Sequence, residues 1–192
     1  MISKENKKNG SMTLGNTDWL EKHLNKVKVI DCSWHMPQAK RNGYEEYKKI
    51  HITNAIFFDL DNNSKKNTEL PHMLTDDVSW ENIVSNMGIK NEDEIVIYDN
   101  SDVISSCRCW FNFIYFGHDP KLVHVLNGGL KKWRKENKEI ANDVTNIKTS
   151  DYKRFEKKEI VKNKEQVDIN VKEQNFKVID DKSRERFDGK VP

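Results

Sequence analysis

The chain has 192 residues, of which 35% are hydrophobic and 33% are charged, and its formal net charge is +2. That length is enough for one domain of about 100 to 150 residues and a remainder. Basic and acidic residues are interleaved and no apolar run reaches the roughly 18 residues of a membrane span, which argues against nucleic acid and membranes as the main partners.

The first segment, MISKENKKNGSM, is basic and polar and has no apolar stretch behind it. We therefore expect a polar tail over residues 1–12 and a cytoplasmic protein. Three cysteines, Cys32, Cys107 and Cys109, are an odd number without paired spacing, which favours free thiols over a disulfide framework. Cys107 and Cys109 would point about 200° apart on a helix, so they cannot clamp one metal together, and we expect neither a metal nor a cofactor.

Strand-like and helix-like segments alternate along the chain. Short segments rich in Val, Ile and Phe predict buried strands over residues 27–32, 55–60, 94–99 and 122–126. Helical spacing of apolar residues predicts helices over residues 16–24, 75–88, 105–117 and 128–138. Thr17 is the predicted N-cap of the first helix. This alternation predicts an α/β fold in which helices flank a parallel β-sheet on both faces.

Acidic residues stand at or near the carboxyl ends of three predicted strands. They are Asp31, Asp59 with Asp61, and Asp99. Ligands of open parallel sheets bind at that edge, so the loop that begins with Asp99 is the leading candidate for a site. Cys32 also follows a strand, but no arginine or glycine-rich loop comes after it, and we expect a packed thiol there.

Several motifs together resemble the N-terminal domain of the tandem rhodanese-type sulfurtransferases, especially their 3-mercaptopyruvate branch. The motifs are EEYKKIHITNAIFFDLD, LPHML, IVIYDNSD, SSCRCWFNFIYFGH and VLNGGLKKW. The resemblance implies a non-catalytic rhodanese-like domain over residues 13–140. It further implies a linker over residues 141–160 and the truncated start of a second rhodanese domain over residues 161–192.

The resemblance also implies a function. Such enzymes move sulfane sulfur from 3-mercaptopyruvate or thiosulfate to a thiol or cyanide acceptor, through a cysteine persulfide in the second domain. The first domain usually has aspartate at the matching position, and Asp99 is similar to it. The chain is therefore expected to lack a catalytic residue and to be inactive alone, with donor and acceptor bound through the missing second domain. The alternative is a stand-alone silent rhodanese module with a binding or structural role.

Four residues carry the site that the resemblance implies, and the residues alone leave their roles open. Arg186 matches an arginine that binds the substrate carboxylate, but it can also be a solvated surface residue. Asp61 and His72 match a pair that assists a serine of the catalytic loop across the domain cleft. His72 can instead be a loop histidine bonded to backbone. Asp99 can be a plain turn residue or a carboxylate at a helix N-terminus.

Overall fold

The computed structural model describes residues 13–191, so the predicted polar tail lies outside the described residues. The chain divides into two compact units, one ending at Lys157 and the other beginning at Lys158. This boundary falls inside the span predicted as a linker. The assignment of the units as two rhodanese domains stays a prediction.

A parallel sheet of five strands forms the centre of the first unit. The described residues of the first unit contain seven strands, which are β1 Leu14–Gly15, β2 Lys28–Asp31, β3 His51–Ile52, β4 Ala55–Phe57, β5 Ile95–Tyr98, β6 Val123–Leu126 and β7 Ile140–Ala141. The sheet order is β1-β6-β5-β2-β4, and every neighbouring pair is parallel. Strands β3 and β7 form a separate antiparallel pair. All four predicted strands are therefore present, three of them one or two residues shorter than predicted and β4 three residues shorter.

The described residues of the first unit contain five α-helices. They are α1 Thr17–His23, α2 Gly43–Lys49, α3 Asp77–Asn86, α4 Ser105–Tyr115 and α5 Gly129–Lys135. The predicted N-cap was wrong by one residue: Asn16 is the cap, because its side chain accepts a hydrogen bond from Trp19 N at 2.7 Å. Helix α2 was not predicted, since Tyr44 and Tyr47 are its only apolar residues. Among residues 13–191, no helix is long and apolar enough to cross a membrane.

Neighbouring strand residues are buried on opposite faces of the sheet. Ile30 belongs to a core that includes Trp80 of α3 and Phe113 of α4. Val29, the residue before it, belongs to a second core that includes side chains of α1, α2 and α5, such as Trp133. Side chains alternate between faces along a strand, so helices on both faces are needed to bury the whole strand. The predicted α/β class with helices on both faces is confirmed.

The second unit contains two helices among its described residues, α6 Lys164–Glu173 and α7 Arg184–Phe187. A reciprocal capping box between Asn163 and Gln166 begins α6. No strand follows α6 among the described residues of this unit, because a strand needs a paired neighbour and the segment around Val178 and Ile179 has none there. Both side chains are exposed.

Asp31 ends β2 with a buried carboxyl group. The residue is 1% exposed, and its Oδ1 accepts a hydrogen bond from Ser33 N at 2.9 Å. Burial raises the pKa of Asp31 from 3.8 to about 6, because the charged carboxylate loses its hydration. The folded chain therefore holds a proton between these two pH values that the unfolded chain has released.

This shift predicts a pH dependence of stability. A group whose pKa is raised on folding makes the free energy of unfolding fall as pH rises from about 4 to about 6. The fall is about 3 kcal/mol, because each pKa unit corresponds to about 1.4 kcal/mol. Asp31→Asn keeps an acceptor for Ser33 N and cannot ionise, so it should remove this part of the pH profile and unfold less easily at neutral pH. Denaturant unfolding at several pH values measures it.

The exposed Asp102 offers a matched control. Asp102→Asn should retain the wild-type fall between pH 4 and pH 6. An Asp31→Asn variant with the wild-type profile would show that the Asp31 carboxyl does not cause it.

Candidate functional site

The loop after β5, residues 99–104, is called the Asp99 loop below. The Asp99 carboxylate accepts hydrogen bonds from Ser106 N at 2.7 Å and Ser101 N at 3.2 Å. Ser106 lies in the first turn of α4, and the N-cap residue Ile104 offers no side-chain acceptor. A carboxylate at this point satisfies unpaired N–H groups and is favoured by the helix dipole. This geometry favours the helix-terminus interpretation of Asp99 over a plain turn residue.

A glycine lets the neighbouring turn approach the Asp99 loop closely. Leu130 N donates to the main-chain oxygen of Asp99 at 3.0 Å. Gly129, the residue before it, has φ +54°, and a Cβ atom there would lie 2.6 Å from the same oxygen. Both the left-handed backbone and the contact exclude a side chain. The second glycine of the Asn-Gly-Gly turn therefore fixes the loop against α5.

A charged network ties the other side of the Asp99 loop to α2. Arg41 donates to both carboxylate oxygens of Glu46 at 2.7 Å, and its Nη2 also donates to Asn100 O at 3.1 Å. The Asn100 side chain donates to Glu46 at 3.0 Å. The Arg41 guanidinium lowers the pKa of Glu46 below its ordinary value. This network was not predicted from the sequence, because helix α2 was not predicted. The signal for that helix was Asn42, a favoured N-cap residue directly before GYEEYKK.

The structure brings the predicted pair Asp61 and His72 together. His72 Nε2 lies 2.7 Å from Asp61 Oδ1, so the ring is bonded to a carboxylate and not to backbone. Because a carboxylate only accepts, Nε2 carries the hydrogen. His72 has φ +55°, and Arg108 donates a hydrogen bond to its main-chain oxygen. Two contacts thus constrain both the ring and the backbone of His72.

An apolar cavity of about 530 Å³ opens beside this pair. Four exposed apolar side chains stand around it: Leu70, Met73, Val103 and Ile104. The polar part of the lining comes from Trp34, His72, Ser105 and Arg108. Exposed apolar residues grouped around a few polar atoms are typical of a surface that contacts a ligand or another domain.

Arg186 lies in α7 of the second unit, where its main-chain N–H faces the Ser183 hydroxyl at 3.4 Å. Its side chain is exposed. The predicted role of Arg186 in binding a carboxylate stays a prediction.

The three cysteines differ in exposure. Cys32 and Cys109 are fully buried, whereas Cys107 is exposed in the first turn of α4. Burial raises the pKa of the Cys32 thiol well above its ordinary value, and its Sγ lies 3.6 Å from Ser105 O. No group of three or more potential metal ligands occurs within residues 13–191. The geometry thus gives Cys32 the environment of a packed, unreactive thiol.

Comparisons with known proteins agree with this fold. The model of the rhodanese-like domain family matches residues 16–136. The chain is 35% identical to the mitochondrial thiosulfate/3-mercaptopyruvate sulfurtransferase 1 of Arabidopsis thaliana, over 91% of this chain and 52% of that relative. It is 29% identical to human 3-mercaptopyruvate sulfurtransferase, over 86% of this chain and 56% of that relative. The chain thus spans about half the length of the curated relatives it matches.

A solved structure is similar over almost the whole chain. The crystal structure of SseA from Escherichia coli, described as a 3-mercaptopyruvate sulfotransferase with a rhodanese fold, matches with a TM-score of 0.86 and 26% identity. The match covers 94% of this chain and 70% of that one.

The cytoplasmic location of this chain stays a prediction.

The exposure of the cysteines predicts one accessible thiol. In the native chain, a disulfide reagent such as DTNB should modify one thiol per molecule, and in guanidinium chloride all three. Partial burial and the charge of Asp99 raise the pKa of Cys107, so the native reaction should accelerate as pH rises through the alkaline range. Cys107→Ser should abolish the native reaction. Labelling of Cys32 in the native chain, found by mass spectrometry, would contradict this.

Proposed function

Because the chain belongs to the rhodanese-like domain family and is homologous to 3-mercaptopyruvate and thiosulfate sulfurtransferases, we propose that it is the non-catalytic, cleft-forming part of such an enzyme. In this proposal a cysteine-bearing rhodanese domain forms the persulfide, and this chain supplies residues that assist it. The donor is 3-mercaptopyruvate or thiosulfate, and the acceptor is a thiol or cyanide.

The observation that carries the proposal is the occupied Asp99 loop. The Asp99 carboxylate accepts hydrogen bonds from the main-chain N–H groups of Ser101 and Ser106. In a catalytic rhodanese loop, N–H groups at these positions would stabilise a cysteine thiolate or its persulfide. A carboxylate can accept these hydrogen bonds but cannot form a bond to sulfane sulfur. The loop is therefore folded without being able to carry sulfur.

The Asp61–His72 pair gives this part of the enzyme its proposed role. Persulfide formation from 3-mercaptopyruvate joins the cysteine thiolate to the substrate sulfur, breaks the carbon–sulfur bond and leaves the electron pair on the enolate of pyruvate. The enolate carbon must then take up a proton. In the proposal a serine of the catalytic loop gives its proton to this carbon and regains one from the imidazolium of His72, whose positive charge the Asp61 carboxylate stabilises. Arg186 would pair with the substrate carboxylate as a bidentate donor.

The proposal predicts that the 192-residue chain transfers no sulfur by itself. Asp99 cannot act as the nucleophile and Cys32 and Cys109 are buried, while partial burial and the charge of Asp99 raise the pKa of the exposed Cys107 and so disfavour its thiolate. Thiocyanate formation from thiosulfate and cyanide should stay at the level without enzyme. The release of sulfide from 3-mercaptopyruvate in the presence of a thiol should stay there too. Activity that disappeared in Cys32→Ser would overturn the proposal and make Cys32 the nucleophile.

A second prediction concerns the chain joined at its carboxyl end to a cysteine-bearing rhodanese domain. Arg186→Ala should mainly raise KM for 3-mercaptopyruvate, by about 10- to 150-fold if a charged hydrogen bond of about 1.5 to 3 kcal/mol is lost. His72→Ala should mainly lower kcat. Steady-state kinetics measure both effects. Lys182→Ala, which also removes an exposed basic side chain, is the control for Arg186. Unchanged kinetics in both variants would mean that this part is only a scaffold.

A further inference from the structure

Trp34 stands between the Asp99 loop and the Asp61–His72 pair. Its indole Nε1–H faces both carboxylate oxygens of Asp61, at 3.0 Å and 3.1 Å. Its ring meets the His72 ring edge to face, with the centroids 4.8 Å apart and the planes at 88°. One aromatic side chain therefore contacts both members of the pair, through a hydrogen bond to one and a ring contact to the other.

The main chain of Trp34 is held by the Asp99 loop and the start of α4. Trp34 N donates to the hydroxyl oxygens of Ser101 at 2.9 Å and Ser105 at 3.1 Å. These two hydroxyls lie 2.8 Å apart, and Ser105 also donates to Cys32 O at 2.5 Å. Asp99 in turn accepts from Ser101 N. The contacts form a continuous series from the Asp99 carboxylate to the indole.

The pair needs this support because it is close to solvent. The Asp61 side chain is 66% exposed and the His72 side chain is 22% exposed. An exposed carboxylate–histidine contact gains little energy in water and does not hold two side chains in one arrangement by itself. A second donor to the carboxylate and a ring against the imidazole restrict both rotamers.

We propose that Trp34 is a positioning residue that orients the Asp61–His72 pair, and that the Asp99 loop serves to anchor Trp34. The use of the pair in sulfur transfer rests on the function proposed above. The contacts themselves lie within the first unit, so the orientation can be measured without any catalytic reaction. In this view the Asp99 loop has a structural task of its own.

The test uses the 15N-labelled 192-residue chain at a pH where the imidazole of His72 is neutral. Signals of the two ring nitrogens are assigned with His72→Gln. The hydrogen bond to Asp61 should keep the wild-type ring in the single tautomer protonated at Nε2. Trp34→Phe keeps an aromatic ring but removes the N–H donor, and both nitrogen signals should move toward the averaged positions of an imidazole that exchanges between tautomers and rotamers. A wild-type His72 spectrum in Trp34→Phe would overturn the proposal.

Trp110 provides a matched control. It is also half-buried, and its indole N–H donates to Val123 O at 3.2 Å, which belongs to a strand of the sheet. Trp110→Phe should leave the His72 signals unchanged. A His72 change of equal size in this control would show that a general loosening, and not the Trp34 contact, causes the effect.

A reciprocal measurement reads the contact from the indole side. Asp61→Ala removes the acceptor at an exposed position, so the fold should be retained. The Trp34 indole N–H should then exchange with solvent roughly tenfold faster, as expected for the loss of a hydrogen bond to a charged group, while that of Trp110 should not. An unchanged Trp34 exchange rate would overturn the proposal even if Trp34→Phe failed to fold.

The two proposals fail in different ways. If His72→Ala left turnover unchanged in the two-domain enzyme but Trp34→Phe altered the His72 spectrum, the proposed function would be wrong and the positioning role right. If His72→Ala lowered kcat and Trp34→Phe changed neither the spectrum nor kcat, only the positioning role would be wrong.

Discussion

The carboxylate of Asp99 at the start of α4 is the interaction on which the rest of the candidate site depends. A negative charge is stabilised near the first N–H groups of a helix, and the Asp99 side chain provides this charge by accepting from Ser106 N. With these groups satisfied, Ser101 and Ser105 point their hydroxyls at the main chain of Trp34. Asp99 therefore has a structural task, because its carboxylate accepts hydrogen bonds both within the loop and from the first turn of α4.

The sheet explains why the contacting residues come from distant parts of the sequence. Parallel strands β2, β4 and β5 end at one edge, and each is followed by part of the site: Trp34 after β2, Asp61 after β4 and the Asp99 loop after β5. Because helices cover both faces of the sheet with apolar side chains, polar side chains group at the edge where the strands end. The fold thus brings residues that are 27 apart, Trp34 and Asp61, within hydrogen-bonding distance.

The strands and the long helices were predictable because their apolar residues follow a clear period. Helix α2 was not, since its one buried side chain, Tyr47, leaves no period to detect. The spacing of Asp61 and His72 suggested a pair only through a family resemblance. Trp34 could not be found in this way, because its role depends on the register of β2 against β5 and on two serine hydroxyls about 70 positions later in the chain. Contacts of that kind are set by tertiary packing, which no local pattern encodes.

Two residues that line the cavity beside His72 and Trp34 have left-handed backbone. His72 and Ile104 both have left-handed φ values, +55° and +50°, and both line the same cavity. Such a conformation costs on the order of 1 kcal/mol or more, and it is least favourable for a β-branched residue such as Ile104. It persists only where surrounding contacts fix it, as the hydrogen bond from Arg108 does for His72. Ile104 is also the N-cap of α4, so its left-handed backbone is the point at which the Asp99 loop turns into the helix and, at the same time, part of the cavity wall.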